Sequence, residues 1–280
     1  MRYIITGLFI ICSLSAVQAQ GKLPKDAEEA VRVGKLLYRS EMASWHGTDI
    51  LQGRYGVIRP LIGGYFSYAD GERTVCLFFT KDEVPKALIR FSFDGPLKIN
   101  GAQIDTARSP LSMLEMELFA MRRSAMEVVS TDDLFEFYEG INFNLIPIVN
   151  GKLRQVYILS GPKAHGKVVI GNDYLLTFDK SNKVKEKRRL HKNIQIFEHA
   201  DSEVTTTMHT HLAETGEFIT PTDICTLMLY ADIAGWPQHI VISETQVSIW
   251  DCNKHDLTVI ERKAWDKIAK DQEERHSPER

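Results

Sequence analysis

Helical and alternating patterns of apolar residues follow one another along this chain without a regular order. Apolar positions at helical spacing predict helices over residues 25–42, 111–129, 222–234 and 262–274. Strand-like alternation lies between them, including two runs joined by the hairpin turn Ala69-Asp70-Gly71-Glu72. Because strands and helices mix without βαβ regularity, the pattern predicts an α+β fold with a mixed or antiparallel sheet flanked by helices.

Several element boundaries are also suggested by residue type. The first helix is expected to end at Trp45-His46-Gly47, and a short hairpin is expected around Asn100-Gly101. The helix over residues 111–129 is expected to begin with Ser109 as its cap and Pro110 at its first position.

The N-terminus has the features of a secretory signal peptide. Arg2 gives a positive start, an apolar core follows over residues 4–14, and Val17-Gln18-Ala19 offers small residues for cleavage. The apolar core is too short to span a bilayer comfortably, and no later segment is long enough to do so. We therefore divide the chain into a signal peptide (1–19), an N-terminal α+β region (20–108) and a second α+β domain (109–280), and expect a periplasmic or extracellular protein.

Composition and charge exclude some classes of protein. The chain is 44% hydrophobic and 25% charged, with a net charge of −3. This near-neutral balance argues against nucleic acid as the main partner, and the basic run Lys183–Arg189 is interpreted as a solvated hairpin tip. Three cysteines remain after the signal peptide, so at least one is free in a monomer. A Cys225–Cys252 bridge and buried thiols both stay open.

The stretch TMHTHLAETGEFITPTD, residues 207–223, carries the most specific chemistry. If His209 and His211 lie on a strand, both imidazoles point to one face, with Cβ atoms about 6–7 Å apart. Asp223 opens an apolar run that is typical of a first helical turn, so its carboxylate can reach back toward the histidines. Two histidines and one aspartate, with a position left for water, are the ligands of many catalytic zinc sites.

The C-terminal half of the chain, about residues 153–260, resembles the JAMM, or MPN-type, zinc metalloproteases. Their pattern is His-x-His-Pro, a loop, Ser-x-x-Asp, a helix and an apolar strand, and it is matched here by HTH, FITPTDI and WPQHIVIS. The resemblance implies that His209, His211 and Asp223 bind zinc and that Thr220 takes the place of the serine that steadies the oxyanion. It also implies hydrolysis of peptide or isopeptide bonds in a protein or peptide substrate.

The sequence departs from the family pattern in three ways. Leu212 replaces the proline, the loop before Thr220 is longer by one residue, and Arg154 stands where the catalytic glutamate is expected. Three other glutamates are candidates for the general base, and the sequence does not rank them: Glu41, Glu136 and Glu139. The alternative to a hydrolase is a catalytically inactive JAMM-like binding module of the bacterial envelope, or an unrelated α+β domain.

Other histidines and threonines leave further alternatives. His239 lies in an apolar strand, and we interpret it as a structural residue. His165, His191 and His199 lie in polar loops, and nothing in their spacing marks them as ligands. Thr222 competes with Thr220 for the position of the helix cap.

Overall fold

The computed structural model describes residues 22–95, 97–198 and 206–276. Four α-helices lie in this part of the chain: α1 (Lys25–Arg54), α2 (Met113–Thr131), α3 (Pro221–Tyr230) and α4 (Arg262–His276). The same residues include two short 3-10 helices, Gly56–Leu61 between α1 and the first strand, and Ile99–Gly101 further along the chain. The predicted signal peptide lies outside the described residues, and no described helix is long and apolar enough to cross a membrane.

The strands of the described residues form four sheets, which confirms the α+β prediction. The first sheet has the order β1-β2-β3-β4, with β5 also paired to β3, and is made of β1 (Ile62–Asp70), β2 (Arg73–Thr80), β3 (Lys86–Phe93), β4 (Gln103–Asp105) and β5 (Ser109–Pro110). The second has the order β10-β9-β7-β6 and is made of β6 (Ile141–Asn150), β7 (Leu153–Pro162), β9 (Tyr174–Phe178) and β10 (Val184–Arg189).

The described residues form two further sheets. The third pairs β8 (Lys167–Gly171) with β11 (Ile194–Glu198). The fourth has the order β12-β13-β14-β15 and is made of β12 (Thr207–Thr210), β13 (Gln238–Ile242), β14 (Gln246–Asp251) and β15 (Asp256–Glu261). Its first pair, β12 and β13, runs parallel, and the remaining pairs of this sheet are antiparallel.

Helix α1 is longer than its sequence pattern predicts. It continues through Gly47 to Arg54, so the expected end at Trp45-His46-Gly47 is wrong. A Cβ atom at Gly47 would lie 2.7 Å from the sulfur of Cys76. The glycine is therefore there to let the helix approach the first sheet closely, and the packing of this helix against the sheet keeps the backbone helical despite the low helix propensity of glycine.

Helix α2 begins three residues later than expected. Ser109 and Pro110 form β5 instead, and Ser112 is the cap, in a reciprocal capping box with Glu115. Arg90 on β3 donates two hydrogen bonds to the Glu115 carboxylate, at 2.7 and 2.9 Å. Burial would raise the pKa of Glu115, but these hydrogen bonds hold it at about 2. The helix start is thus fixed by a long-range ion pair as well as by its local cap.

Two other sequence predictions change in the structure. The hairpin expected around Asn100-Gly101 is a 3-10 turn leading into β4, which pairs with β3 rather than with the residues directly before the turn. The basic run Lys183–Arg189 is mostly strand β10 and pairs with β9. Cys76, Cys225 and Cys252 are all buried and free, so the alternative of a Cys225–Cys252 bridge does not hold.

The contact between α1 and α3 positions the motif segment. Gly34 of α1 faces Ile224 of α3, where a Cβ atom would lie 2.7 Å from the isoleucine side chain. Ala27 and Ala30 of α1 share a buried cluster with Ile224. Because α1 also contacts the first sheet, it joins both halves of the chain. The division at residue 109 stays a prediction.

Candidate metal centre

Strand β12 presents the two motif histidines on one face. Burial alternates along it, with Thr207 and His209 buried and Met208 and Thr210 exposed, and His211 is buried directly beyond its end. The backbone N–H of His211 still donates to the Ile242 carbonyl at 2.8 Å, which continues the parallel pairing with β13. The expectation that both imidazoles point the same way is confirmed.

Helix α3 presents Asp223 in its first turn. Thr220 is the N-cap: its hydroxyl accepts a hydrogen bond from the Asp223 N–H at 3.1 Å and donates one to Asp223 Oδ2 at 2.8 Å. The Thr220 N–H donates to the same Oδ2 at 3.0 Å. The carboxylate is thus held in one orientation by its own helix cap.

A third histidine joins them from a separate element. His191 lies between β10 and β11 and is buried. Its Nε2 is 3.2 Å from Asp223 Oδ1, and its Nδ1 is 3.6 Å from Oδ2 of the buried Asp173. The sequence does not mark His191 as a ligand, because its position in a polar connection carries no periodic or spacing signal.

The four side chains converge on a common point. Their ligand atoms, from His191, His209, His211 and Asp223, all lie within 4.8 Å of one another. His209 Nε2 is 3.0 Å from His211 Nε2, and Asp223 Oδ2 is 3.3 Å from the latter nitrogen. Ligand atoms bound at about 2.0–2.1 Å around a tetrahedral ion stand about 3.3 Å apart. The residues present therefore fit a metal ion, and this buried group could hold one.

Unsatisfied atoms support the same interpretation. Both ring nitrogens of His191, His211 Nδ1 and Asp223 Oδ1 are buried and make no aligned hydrogen bond with the described residues. Buried polar atoms are normally paired, since leaving one unpaired costs about 1–3 kcal/mol. A cation at the centre would satisfy Asp223 Oδ1 and one nitrogen of His191.

A hydrogen-bonded chain behind His209 selects a suitable tautomer. His209 Nδ1 is 2.8 Å from His239 Nε2, and His239 Nδ1 is 2.7 Å from the Thr207 hydroxyl. If His209 and His239 each carry their proton on Nδ1, each donates along this chain and His209 Nε2 keeps its lone pair for the centre. Such outer hydrogen bonds orient metal-binding histidines in many proteins. His239 thus has a structural role, as expected.

The charges of the centre favour a cation. Burial lowers the pKa of His209 to about 4 and that of His239 to about 3, so both imidazoles are neutral, the form that binds metals. Burial also opposes the charge of His191, but the carboxylates of Asp223 and Asp173 outweigh it and raise the pKa of His191 to about 10, so the metal-free imidazole carries a proton. A metal ion bound to His191 would displace that proton, and its own positive charge would then face the same carboxylates. Burial would raise the pKa of Asp223, yet the histidines, His191 first, hold it well below its ordinary value.

The remaining candidate residues lie as follows. Thr220 directs its hydroxyl hydrogen at Asp223, and its oxygen is 3.0 Å from the Thr222 hydroxyl. As for the base, Arg154 forms an ion pair with Glu117. None of Glu41, Glu136 and Glu139 belongs to the converging group, which has no glutamate among the described residues. The catalytic role of Thr220 stays a prediction.

A cleft of about 90 Å³ lies beside the centre. His191 and His209 both line it, together with the polar side chains of Lys192, Asn193 and Gln195. Its size suits water and one small chemical group rather than a whole small-molecule ligand. The cleft thus touches two of the four converging residues, while His211 and Asp223 do not line it.

Comparisons of the chain with protein-family models, curated proteins and solved structures found no match. The class of the protein is therefore defined by its own residues, as an α+β fold with a buried group of three histidines and one aspartate that could bind a metal ion. The likeness of the C-terminal half to the JAMM family stays a resemblance of motif.

Proposed function

We propose that this protein is a zinc-dependent hydrolase that cleaves peptide or isopeptide bonds. The observation that carries the proposal is the convergence of His191, His209, His211 and Asp223 beside a cleft that two of them line. Imidazole and carboxylate ligands without a thiolate suit zinc, although other transition metals accept the same set. A water bound to the ion as a fifth ligand would reach it from the cleft, since two of the four protein ligands line the cleft.

The residues of the cleft have distinct parts in such a reaction. A bound zinc ion would polarise a carbonyl and lower the pKa of a coordinated water. Asn193 and Gln195 offer amide donors for the substrate beside the centre. Thr220 fixes the Asp223 carboxylate through its cap and acts as a positioning residue.

A noncatalytic, metal-stabilised binding module is the second candidate. Four protein ligands can close a tetrahedral zinc site, and closed sites are usually structural. The described residues also place no glutamate in the converging group, and Arg154 is engaged with Glu117. Loss of a general base commonly costs about 10²–10⁴ in rate.

Activity and coordination number together decide between the two candidates. Zinc-loaded protein is incubated with fluorogenic peptide amides and with lysine-branched isopeptides. The hydrolase proposal expects turnover that disappears with a chelator and in His209→Ala, but persists in His165→Ala, an exposed histidine outside the centre. The visible spectrum of the cobalt form should show the weak bands of a five-coordinate centre. Intense tetrahedral bands together with no turnover would establish the noncatalytic module.

We also infer that the chain is exported and then cleaved after Ala19. The inference rests on Arg2, the apolar core over residues 4–14 and the small residues before Gln20. N-terminal sequencing of the protein recovered from the periplasm or the medium is expected to begin at Gln20. Recovery of the intact N-terminus, Met1, from the cytoplasm would contradict it.

A further inference from the structure

A second cavity, of about 590 Å³, lies at the opposite end of α3 from the metal centre. Asp223 stands in the first turn of that helix, whereas Tyr230, which ends it, lines the cavity. We call this space the Trp45 cavity, after the tryptophan that α1 contributes to its wall. Its volume lies within the range of small-molecule binding sites, about 300–1,000 Å³, and its walls belong mainly to helices and strands.

Three large aromatic residues line this cavity, Trp45, Tyr65 and Tyr230, beside smaller apolar residues such as Val168 and Ile233. The rings of Trp45 and Tyr230 meet edge to face, with centroids 5.6 Å apart and planes at 66°. This arrangement makes no parallel slot between these two rings for a flat base. It does provide amphipathic ring surfaces against which the C–H face of a sugar ring can pack.

Polar side chains stand beside these rings. The side-chain amides of Asn142 and Asn144 and the hydroxyl of Thr48 line the cavity. Asn144 donates one hydrogen bond to the buried Glu41, at 2.9 Å, which fixes the orientation of its amide. Amides offer both donors and acceptors, which matches the mixed donor and acceptor character of neighbouring sugar hydroxyls.

The charges around the cavity are nearly balanced. Asp49 and Lys163 are opposite in sign, and Lys167 forms an ion pair with Glu198 at 3.2 Å. A cavity for a phosphate or another anion would instead carry an excess of basic side chains. The lining therefore favours a ligand that is polar but uncharged.

We propose that the Trp45 cavity binds a short neutral oligosaccharide, with one sugar ring packed on Trp45 and its hydroxyls bonded to Asn142 and Asn144. The site is separate from the metal centre and does not depend on the proposed hydrolase activity.

Calorimetric titration tests this binding site with three disaccharides: cellobiose, maltose and N,N′-diacetylchitobiose. At least one is expected to bind saturably to the full mature protein, with the same affinity in zinc and in chelator. Trp45→Ala should weaken that binding by about tenfold or more, since it removes the packing surface.

Gly161→Ala gives a second variant that should keep the fold. A Cβ atom at Gly161 would lie 3.4 Å from the Asn144 amide nitrogen and 4.0 Å from the Tyr230 hydroxyl, so the methyl group enters the cavity without a clash. Binding should again fall by about tenfold. Gly53→Ala is the matched control, since nothing lies within 4 Å of its Cβ position.

Three results would overturn the proposal. The first is that none of the three sugars binds to the wild-type protein. The second is that binding survives unchanged in both Trp45→Ala and Gly161→Ala while Gly53→Ala also binds. The third is that adenosine, a flat and uncharged probe, binds in place of the sugars with the same dependence on Trp45. Loss of zinc from the metal centre would change none of these sugar-binding results.

Discussion

At the residue scale, Thr220 joins the helix cap to the metal centre. Its hydroxyl both accepts from the Asp223 N–H and donates to Asp223 Oδ2. Thr220→Val should cost about 1–2 kcal/mol of stability through the lost cap and weaken zinc binding by about 10–100-fold through the freed carboxylate. Thr220→Ser should keep both the stability and the zinc affinity of the wild type, as measured by urea denaturation and competitive zinc titration.

The same pair of variants separates positioning from catalysis. If Thr220→Val binds zinc as tightly as the wild type while turnover falls, Thr220 acts on the substrate and the positioning role is wrong. If both variants bind zinc normally and turn over normally, Thr220 is a helix cap only.

Glu41 is a buried acid whose protonation should affect stability. Burial raises the pKa of Glu41 to about 7, although the hydrogen bond from Asn144 opposes the shift. The folded state thus holds this proton more tightly than the unfolded state. Stability is fully retained below the unfolded pKa of about 4.5 and falls as pH rises toward 7, by about 3 kcal/mol in total.

Glu41→Gln removes that dependence on pH. Relative to the wild type, the variant should gain stability between pH 4 and pH 8, when urea denaturation of both proteins is compared in chelator. A difference between the two proteins that stays constant across this range would contradict the assigned burial and pKa of Glu41.

The sequence reveals part of the centre and hides the rest for physical reasons. His209 and His211 follow from strand alternation, and Asp223 from the helix start, because both patterns are local. His191 reaches Asp223 only through the tertiary fold, from a connection without periodicity. The hydrogen bond of His239 to His209 likewise depends on the pairing of β12 with β13.

At the element scale, the close contact of α1 with α3 sets the position of Asp223. Gly34→Ala would place a Cβ atom 2.7 Å from Ile224 and 3.0 Å from the Pro221 carbonyl oxygen. Overpacking of this kind typically costs about 1–3 kcal/mol, and movement of α3 should also weaken zinc binding.

Gly53→Ala is the matched control in the same helix, because its Cβ position is open. It should be neutral or stabilise the protein by up to about 1 kcal/mol. Thermal unfolding and zinc titration of both variants measure the effect. Equal behaviour of the two variants would show that the α1–α3 contact does not position the centre.

Element boundaries show where local signals fail. Gly47 signals the end of a helix, but the close approach to Cys76 explains the glycine and α1 continues. Ser109-Pro110 has the composition of a helix start, yet Ser112 and Glu115 make the actual capping box. In both cases a contact with the first sheet outweighs the local preference, and such contacts are not visible in one sequence.

At the scale of the whole molecule, the metal is expected to stabilise the fold. The four ligands come from three separate parts of the described chain, so the unfolded chain has no formed site. At free zinc about 1,000-fold above Kd, binding to the native state alone adds about 4 kcal/mol. The melting temperature should rise with zinc, and the rise should vanish in His211→Ala but persist in His165→Ala.

The overall class was predictable, but the arrangement of the sheets was not. Mixed strand and helix patterns indicate α+β, and four sheets with interspersed helices bear this out. The parallel pairing of β12 with β13, and the role of α1 in both halves, come from contacts distant in sequence.

Zinc K-edge X-ray absorption on protein loaded with one equivalent of zinc tests the metal centre most directly. We expect one tightly held zinc per chain, with three imidazole nitrogens and a carboxylate oxygen at about 2.0–2.2 Å. Loss of an imidazole from this shell should follow in His191→Ala. A wild-type protein that retains no zinc, or whose zinc has one imidazole or none, would contradict the account.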